Sequence, residues 1–308
     1  MSNGLGVTEG GKDILEKGQY KLGSGRVIHW QQPGFSAGKG FYGQHDGPAI
    51  WPVDQPILDL HGHYCGMVQI TRRDPLGWGY RVTVFFFTPL LNIFTKQQWE
   101  GTENLTAQTG GMVVATNHIS WFDPLVTSHV LWDNDRPPRF LAKESVFRVP
   151  IVGAIITSAQ QIRVYRETSN ATDAVRDGIA AVKRGECVVV YPEGTITREP
   201  NMWPMTGKTG AARVALAAGC PLIPMAQWGA QEVMRPYRKE FRILPRKTMK
   251  ILVGPPIDLS DLQDRALDAD TLHLATDRLM DALTGLLAQI RQETPPEERY
   301  VFDRQEHS

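Results

Sequence analysis

The chain has 308 residues, of which 42% are hydrophobic and 21% charged, a composition typical of a globular protein. Basic and acidic residues are equal in number at 33 each, so no net positive charge favours nucleic acid as a partner. Three scattered cysteines are too few for a disulfide framework, no apolar run reaches the roughly 18 residues of a membrane-spanning helix, and the start lacks a secretory signal pattern.

Residues 1–66 differ in composition from the rest of the chain. They contain 14 of the 29 glycines and show no sustained helical or strand periodicity. Because such a segment buries too little apolar surface to offset its ordering entropy, we expect it to be largely disordered. Recognisable patterns begin soon after Met67, so we further hypothesise that the natural start lies at or near Met67. Peptides from residues 10–60 in protein from the native host would contradict that hypothesis.

The next predicted segment, residues 67–98, contains an aromatic and apolar stretch at 78–94. This stretch is too short to span a bilayer, and Pro89 should kink or divide a helix there. Basic residues flank it, and Trp78 and Trp99 lie near its ends, as interfacial anchors do. Two interpretations stay open. One is a buried core helix, and the favoured one is an amphipathic segment that dips into one leaflet.

From residue 112 onward, strand-like and helix-like stretches alternate. Strands are predicted at residues 112–116, 139–142, 161–164, 187–191, 222–227 and 249–253. Helices are predicted at residues 124–132, 145–157, 173–184, 208–218 and 271–291. The alternation predicts a single α/β sheet domain, here given the bounds 99–292. The polar, proline-containing tail at 293–308 is expected to be flexible.

Two motifs directly follow strand predictions, where ligands bind in open α/β sheets. The first, residues 117–123, contains His118 and Asp123. Five residues apart, these two would not share a helix face, but they can meet if His118 lies in a turn and a helix starts at Asp123-Pro124. The carboxylate would then fix the imidazole tautomer and leave the other nitrogen to act as a general base. A histidine near a helix start, without any chemistry, is the alternative.

The second motif, residues 191–195, follows the apolar run at 187–190. Gly194 permits a tight turn whose backbone N–H groups can approach an anion, and Thr195 adds a hydroxyl donor. The Glu193 carboxylate can bind substrate hydroxyls or a partner arginine. An ordinary strand-to-loop turn is the alternative.

Basic residues near the same predicted sheet edge are candidates for phosphate binding. Lys143 follows one strand, and Arg163 and Arg166 lie at and just beyond the next. Arginine offers phosphate a bidentate fork and lysine a point charge, although either alone is more often a solvated surface charge. A second basic segment runs from Arg235 to Lys250. Contact with anionic lipid, binding of coenzyme A phosphates and a solvated loop all stay open for it.

Together these residues resemble the 1-acyl-sn-glycerol-3-phosphate acyltransferase family. Its four blocks occur in order within residues 78–260: N-H-x-x-x-x-D at 117–123, a basic block from Lys143 to Arg166, P-E-G-T at 192–195, and a P-x-I-P strand at 221–224. Lys208-x-Gly210 is also similar to a helix start in the family. One departure concerns the third block, which commonly continues Thr-Arg-Ser. This chain has Ile196 and Thr197 before Arg198, so the arginine is displaced by two positions.

The resemblance implies a glycerolipid-acyltransferase-like α/β domain, with a central mostly parallel or mixed sheet flanked by helices and an N-terminal membrane-associating helical segment. It implies that His118, oriented by Asp123, deprotonates a lysophospholipid hydroxyl that attacks a fatty acyl thioester. The thioester would be acyl-CoA or acyl carrier protein as co-substrate, with no metal or other cofactor. The residues that would bind the acceptor are Asn117, Lys143, Arg166, Glu193, Gly194 and Thr195.

The expected acceptor is 1-acyl-sn-glycerol 3-phosphate, giving phosphatidic acid, with the enzyme peripheral or monotopic at the cytoplasmic face of the cell membrane. The displaced arginine keeps a related acyltransferase open, acting on a glycolipid, an acylated phosphoinositide or another lysophospholipid. A hydrolase would need a serine on a strand–helix turn, and none is found beyond residue 66. A non-enzymatic lipid-binding module is a more distant alternative.

Overall fold

The computed structural model describes residues 77–164, 171–238 and 240–302, together with the backbone of two short strands nearer the start of the chain. These are β1 (Gln19–Lys21) and β2 (Val27–His29), which pair antiparallel. The rest of 1–66, for which disorder was predicted, and the hypothesised start at Met67 lie outside the described residues. Contacts divide the chain into two units, Met1–Ile70 and Thr71–Ser308, and the predicted α/β domain lies within the second.

Strands and helices alternate through this second unit. The strands are β3 (Thr95–Glu100), β4 (Met112–Thr116), β5 (Pro138–Lys143), β6 (Ile162–Val164), β7 (Cys187–Val190), β8 (Leu222–Trp228) and β9 (Lys247–Val253). The helices are α1 (Trp78–Phe94), α2 (Glu103–Thr106), α3 (Asp123–Asp133), α4 (Glu144–Phe147), α5 (Val152–Ser158), α6 (Ala171–Lys183), α7 (Gly210–Ala218), α8 (Ala230–Val233) and α9 (Ala269–Arg291), with a short 3-10 helix at Ser260–Leu262.

The seven strands form one mixed sheet in the order β3-β9-β8-β4-β7-β5-β6. Strands β8, β4, β7, β5 and β6 run parallel to one another, so their carboxyl ends share one edge. Strand β9 is antiparallel to β8, and β3 is parallel to β9, so β3 begins at that same edge. The predicted α/β class with a mixed, helix-flanked sheet is therefore confirmed.

Both faces of the sheet are covered by helices because its central strands are apolar on both sides. Successive side chains of β4 point to opposite faces. Val113 and Ala115 pack in a core with α6, α7 and α9. Met112 and Val114 pack in a second core with α3 and with Leu91 of α1. Helix α9 and helix α1 therefore lie on opposite faces of the sheet.

Helix α1 packs closely on α5 but leaves most of its apolar surface exposed. The Gly79 N–H donates to Ser158 Oγ at 2.9 Å, and a Cβ at Gly79 would meet Ile155 O at 2.3 Å. Phe85 and Phe86 are 73% and 58% exposed. The core-helix interpretation is therefore wrong. Within the described ranges, none of the helices has the combined length and hydropathy of a bilayer-spanning segment.

Four details depart from the sequence predictions. Helix α1 continues through Pro89 to Phe94, so the proline does not divide it. The domain boundary predicted at residue 99 falls inside β3, which pairs with β9. The helix predicted at 145–157 is two helices, separated near Ile151, whose φ is 67°. The tail is attached as far as Tyr300, whose carbonyl accepts from Thr206 N at 3.0 Å, and residues 303–308 lie outside the described part.

Candidate active site

The two motifs singled out in the sequence lie at the carboxyl ends of neighbouring strands. Strands β4 and β7 are parallel, with Ala115 opposite Val190, so the turns that follow them emerge side by side. The backbones of the two turns are also hydrogen-bonded, because Thr197 N–H donates to His118 O at 2.7 Å. This edge is the position at which ligands bind in open α/β sheets.

His118 and Asp123 are in direct contact. His118 Nδ1 lies 2.8 Å from Asp123 Oδ2, as expected for a histidine in the turn and a helix that starts at Asp123. The same oxygen accepts the N–H groups of Ile119 at 2.6 Å and Ser120 at 2.8 Å. The turn is thus wrapped around one fully buried carboxylate. Burial raises the pKa of Asp123, and the hydrogen bonds from His118 and the two backbone amides oppose that shift.

The second nitrogen of the imidazole is available for proton transfer. When Nδ1 carries the proton donated to Asp123, the lone pair of Nε2 is basic. Among the described residues, none hydrogen-bonds Nε2, and the side chain is 14% exposed. The ring of Tyr191 stacks on the imidazole, with centroids 4.2 Å apart and planes at 25°. Tyr191 was not among the predicted site residues, and its only sequence signal is its place directly after β7.

Glu193 is buried and faces inward. Its Oε1 accepts the His118 N–H and its Oε2 the Met205 N–H, both at 3.0 Å. Burial raises the pKa of Glu193 to about 8, while these backbone hydrogen bonds and one with Thr197 act in the opposite direction. The expectation that Glu193 binds substrate hydroxyls does not fit this geometry, because both oxygens hold backbone amides.

Gly194 and Thr195 form the outer part of the second turn. Gly194 has a φ of +69°, which favours glycine, and it allows Lys208 to approach closely. A Cβ at residue 194 would lie 3.1 Å from Lys208 Nζ. Lys208 was not among the predicted site residues, although Lys208-x-Gly210 matches the family pattern. Thr195 is half-buried beside this turn.

Asn117 joins two strands. Its Nδ2 donates to Gln227 O at 3.1 Å, and its Oδ1 accepts Gln227 N–H at 2.8 Å. The Gln227 side chain returns a hydrogen bond to Asn117 O at 2.8 Å. Asn117 is buried, so its polar atoms connect β4 to β8 and the predicted contact with substrate is not supported.

Of the three predicted basic residues, two lie within the described residues and one lies outside them. Lys143 is exposed at the carboxyl end of β5, which is parallel to β7 and therefore ends at the same edge as Glu193. Arg163 lies over the ring of Phe147 at 4.6 Å and donates to Thr157 Oγ1 at 3.3 Å. Arg166 lies outside the described residues.

The structure therefore combines a mixed α/β sheet with a histidine–aspartate pair at the carboxyl edge of its parallel strands. Comparison with known proteins then specifies the class. Residues 96–228 match the family model described as Acyltransferase. Over this segment, which is less than half of the chain, the protein is similar to that family.

Relatives of this chain carry related names. It is 26% identical over 165 residues to the chloroplastic 1-acyl-sn-glycerol-3-phosphate acyltransferase BAT2 of Brassica napus, covering 53% of this chain and 46% of that protein. It is 26% identical over 187 residues to the 1-acyl-sn-glycerol-3-phosphate acyltransferase of Bacillus subtilis, covering 61% and 82%. The match thus spans about half the length of the Brassica protein.

A solved structure has the same fold. The crystal structure of the 1-acyl-sn-glycerophosphate acyltransferase PlsC from Thermotoga maritima superimposes with a TM-score of 0.54 at 20% identity. The alignment covers 70% of this chain and 81% of that one. At this level of identity the likeness concerns the fold alone.

Proposed function

We propose that this protein transfers a fatty acyl group from an acyl thioester to the free hydroxyl of a lysophospholipid. The favoured acceptor is 1-acyl-sn-glycerol 3-phosphate, which would give phosphatidic acid. The observation that carries the proposal is the 2.8 Å contact between His118 Nδ1 and Asp123 Oδ2, with Nε2 left open at the sheet edge. The match to the Acyltransferase model supports acyl transfer, and the names of the relatives support the acceptor class.

In this reaction the acceptor hydroxyl oxygen attacks the thioester carbonyl carbon while its proton passes to His118 Nε2. The carbon–sulfur bond then breaks, and the same proton returns to the departing thiolate. Asp123 stabilises the imidazolium that forms between these steps and holds the ring orientation. General base catalysis of this kind contributes roughly 10²–10⁴-fold to the rate.

Lys143 and Lys208 are the cations that we assign to the acceptor phosphate. Lys143 is exposed at the end of β5, and the Lys208 ammonium lies against the Gly194 turn next to Glu193. Lysine binds phosphate as a point charge. Arg166, expected from the resemblance to share this role, stays a prediction.

A second acceptor class is favoured by one observation. Ile196 occupies the position at which the family commonly has arginine, and its side chain is buried at 2% exposure. The displaced Arg198 instead lies over the Tyr237 ring at 3.6 Å. A different arrangement of positive charge is suited to another head group, such as a glycolipid, an acylated phosphoinositide or another lysophospholipid.

We place the reaction at the cytoplasmic face of the cell membrane, with the protein peripheral or monotopic. A two-chain product does not leave through water readily, since each buried CH₂ contributes about 0.8 kcal/mol and a 16-carbon chain therefore about 12 kcal/mol. Exposed apolar side chains lie near the edge of the sheet that carries the site, because β3 begins at that edge and α1 ends directly before it. They include Ile93 at 60%, Trp121 at 60% and Leu244 at 68% exposure.

The test is an acyl-transfer assay with purified protein, palmitoyl-CoA or palmitoyl-acyl carrier protein, and a panel of lysolipids. We expect an ester product with at least one lysolipid, and a rate reduced about 10²–10⁴-fold in His118→Ala. A matched control is His273→Ala, on an exposed position of α9. Equal rates for wild type and His118→Ala would refute the mechanism. Lipid binding without any ester product would favour the binding-module alternative.

A further inference from the structure

A basic cleft of about 820 Å³ opens beside the active site, between the chain after Ile196 and the chain after α8. Its charged lining comprises five cations and two carboxylates: Arg198, Arg235, Arg238, Arg242, Lys247, Glu199 and Glu232. This volume lies in the range of pockets that bind small organic ligands. A concave site of this charge is suited to an organic ligand with several phosphate groups.

Both walls of the cleft are tethered to the His118 turn. One wall begins at Thr197, whose N–H donates to His118 O at 2.7 Å. The other begins next to Met234, whose carbonyl accepts Ser120 Oγ–H at 2.7 Å. The walls are also joined to each other, because Tyr237 Oη–H donates to Ile196 O at 2.5 Å. The cleft is therefore held in a fixed position relative to the imidazole.

Several of its cations are available to bind a ligand. Arg198, Arg235 and Lys247 form no ion pair with a carboxylate in the part of the chain that the structure describes. Arg242 and Arg238 share the single carboxylate of Glu240. One of the two lining carboxylates, Glu199, is engaged with the Trp203 N–H at 2.9 Å. With Glu199, Glu232 and Glu240 counted against the five cations, the cleft keeps a net positive charge.

We propose that this cleft holds the phosphates of coenzyme A, the nucleotide end of the acyl donor. The inference deepens the proposed acyl transfer and rests on it. Coenzyme A carries a diphosphate and a 3′-phosphate at the far end of an extended arm from its sulfur. Its phosphates must therefore bind at a distance from the imidazole that this arm can span, whereas the phosphate of a lysophosphatidic acid lies close to the reacting hydroxyl. The cleft borders the His118 turn at Thr197 and continues to Lys247, at the start of β9 and two strands away from β4.

A second concavity, of about 770 Å³, contrasts with this cleft. It lies between the 254–261 segment and α9 and includes Pro224, near the amino end of β8 and so away from the His118 turn. Its lining cation, Arg278, forms an ion pair with Asp261 at 2.6 Å. It therefore lacks both the location and the available charge of a donor site.

The first experiment is a calorimetric titration of the full chain with free coenzyme A, which requires no turnover. We expect Arg235→Gln and Arg238→Gln each to weaken binding at least about tenfold, since each removes a charge-assisted contact. Arg176→Gln, an exposed arginine on α6, is the matched control and should bind as wild type does. Thermal unfolding of each variant verifies that it is folded. Unchanged affinity in both cleft variants would overturn the assignment.

The second experiment compares palmitoyl-CoA with palmitoyl-pantetheine, which lacks all the phosphates, at a fixed acceptor. The cleft variants should raise KM for palmitoyl-CoA at least about tenfold and leave palmitoyl-pantetheine unaffected. A higher KM for the lysolipid alone would assign the cleft to the acceptor. An effect confined to palmitoyl-acyl carrier protein would assign the cleft to an acidic carrier protein instead of coenzyme A. Either result overturns the proposal. Cleft-dependent coenzyme A binding in a protein that forms no ester would refute the proposed function and leave this site standing.

Discussion

Glu193 holds the backbone of the residue that carries the imidazole. Its Oε1 accepts the His118 N–H at 3.0 Å, and its Oε2 fixes Met205 on the opposite side at the same distance. The carboxyl group is buried, so it is placed to act on the position of the His118 turn. Glu193 is therefore a positioning residue in this fold, which distinguishes it from the substrate ligand suggested by its place in the motif.

This burial predicts a pH-dependent stability. The pKa of Glu193 is raised from 4.5 to about 8, so the folded protein keeps a proton that the unfolded chain releases. The contribution of this group to stability is complete below about pH 4.5 and is lost as the pH rises towards 8. Glu193→Gln cannot titrate. We expect the free energy of unfolding of wild type, minus that of Glu193→Gln, to fall between pH 5 and pH 8 by up to about 1.4 kcal/mol per pH unit.

Urea unfolding of both proteins at pH 5, 6.5 and 8 measures this difference. Subtracting the variant cancels the titration of all other groups. Glu297→Gln, at an exposed position near the C-terminal end of the described chain, is the matched control for replacing a glutamate by glutamine. A constant or rising difference for Glu193→Gln would show that the carboxyl group is not held protonated by burial.

A substitution at Asp123 separates its role in orienting the imidazole from any role in substrate binding. In Asp123→Asn an uncharged amide replaces the carboxylate whose Oδ2 accepts from His118 and from two backbone N–H groups, so the imidazole loses the charge that fixes its tautomer. We expect kcat to fall about 10²–10⁴-fold with little change in KM for either substrate. The double variant with His118→Ala should be no slower than His118→Ala alone. Additive losses in the double variant would indicate that the two residues act independently.

The stacking of Tyr191 on His118 predicts that efficient catalysis requires an aromatic ring at residue 191. The centroids lie 4.2 Å apart, and such aromatic contacts contribute about 0.5–1.5 kcal/mol. Tyr191→Phe keeps the ring and should retain kcat within a few-fold of wild type. Tyr191→Ala releases the imidazole and should lower kcat about tenfold or more, with KM preserved. If Phe and Ala reduce kcat equally, the hydroxyl and not the ring is what matters.

Much of the sheet could be predicted from sequence, because its central strands are buried on both faces and read as short apolar runs. Strand β4 was predicted with its observed bounds, Met112–Thr116. Strand β3 was missed because it is largely polar, and it lies at the edge of the sheet with β9 as its single neighbour. Its side chains alternate in exposure, but the sequence Thr-Lys-Gln-Gln-Trp-Glu does not alternate between apolar and polar residues.

The site was predictable to the extent that it depends on one turn. The contact of His118 with Asp123 follows from a helix start at Asp123-Pro124, which residue preferences indicate. The inward orientation of Glu193 was not predictable. It depends on Met205, twelve residues further along, whose N–H approaches only when the chain folds back. Sequence patterns identify such a residue but do not show which atoms it meets.

The left-handed conformation of Gly194 predicts a local effect on activity. A Cβ there costs about 1–2 kcal/mol of backbone strain and meets Lys208 Nζ at 3.1 Å. Gly194→Ala should therefore lower stability by about that amount and also weaken acceptor binding. Gly185→Ala is a matched control, because its φ is +90° but a Cβ would contact nothing within 4 Å. It should lose stability and keep the KM of the acceptor, and an equal rise in KM for both variants would contradict a local role of the Gly194 turn.

The exposed face of α1 predicts membrane binding through one side of the molecule. Burying a phenylalanine contributes about 1.5–3 kcal/mol, so replacing Phe85 and Phe86 by serine should reduce partitioning onto phospholipid vesicles by at least about 100-fold. Leu274→Ser serves as the control, because Leu274 is 39% exposed on α9, on the opposite face of the sheet. Vesicle cosedimentation measures each protein. Equal losses of vesicle binding in the variant and the control, or no loss in either, would show that α1 is not the membrane contact. The reason is that only attachment through one side of the molecule brings the lipid to the edge at which His118 lies.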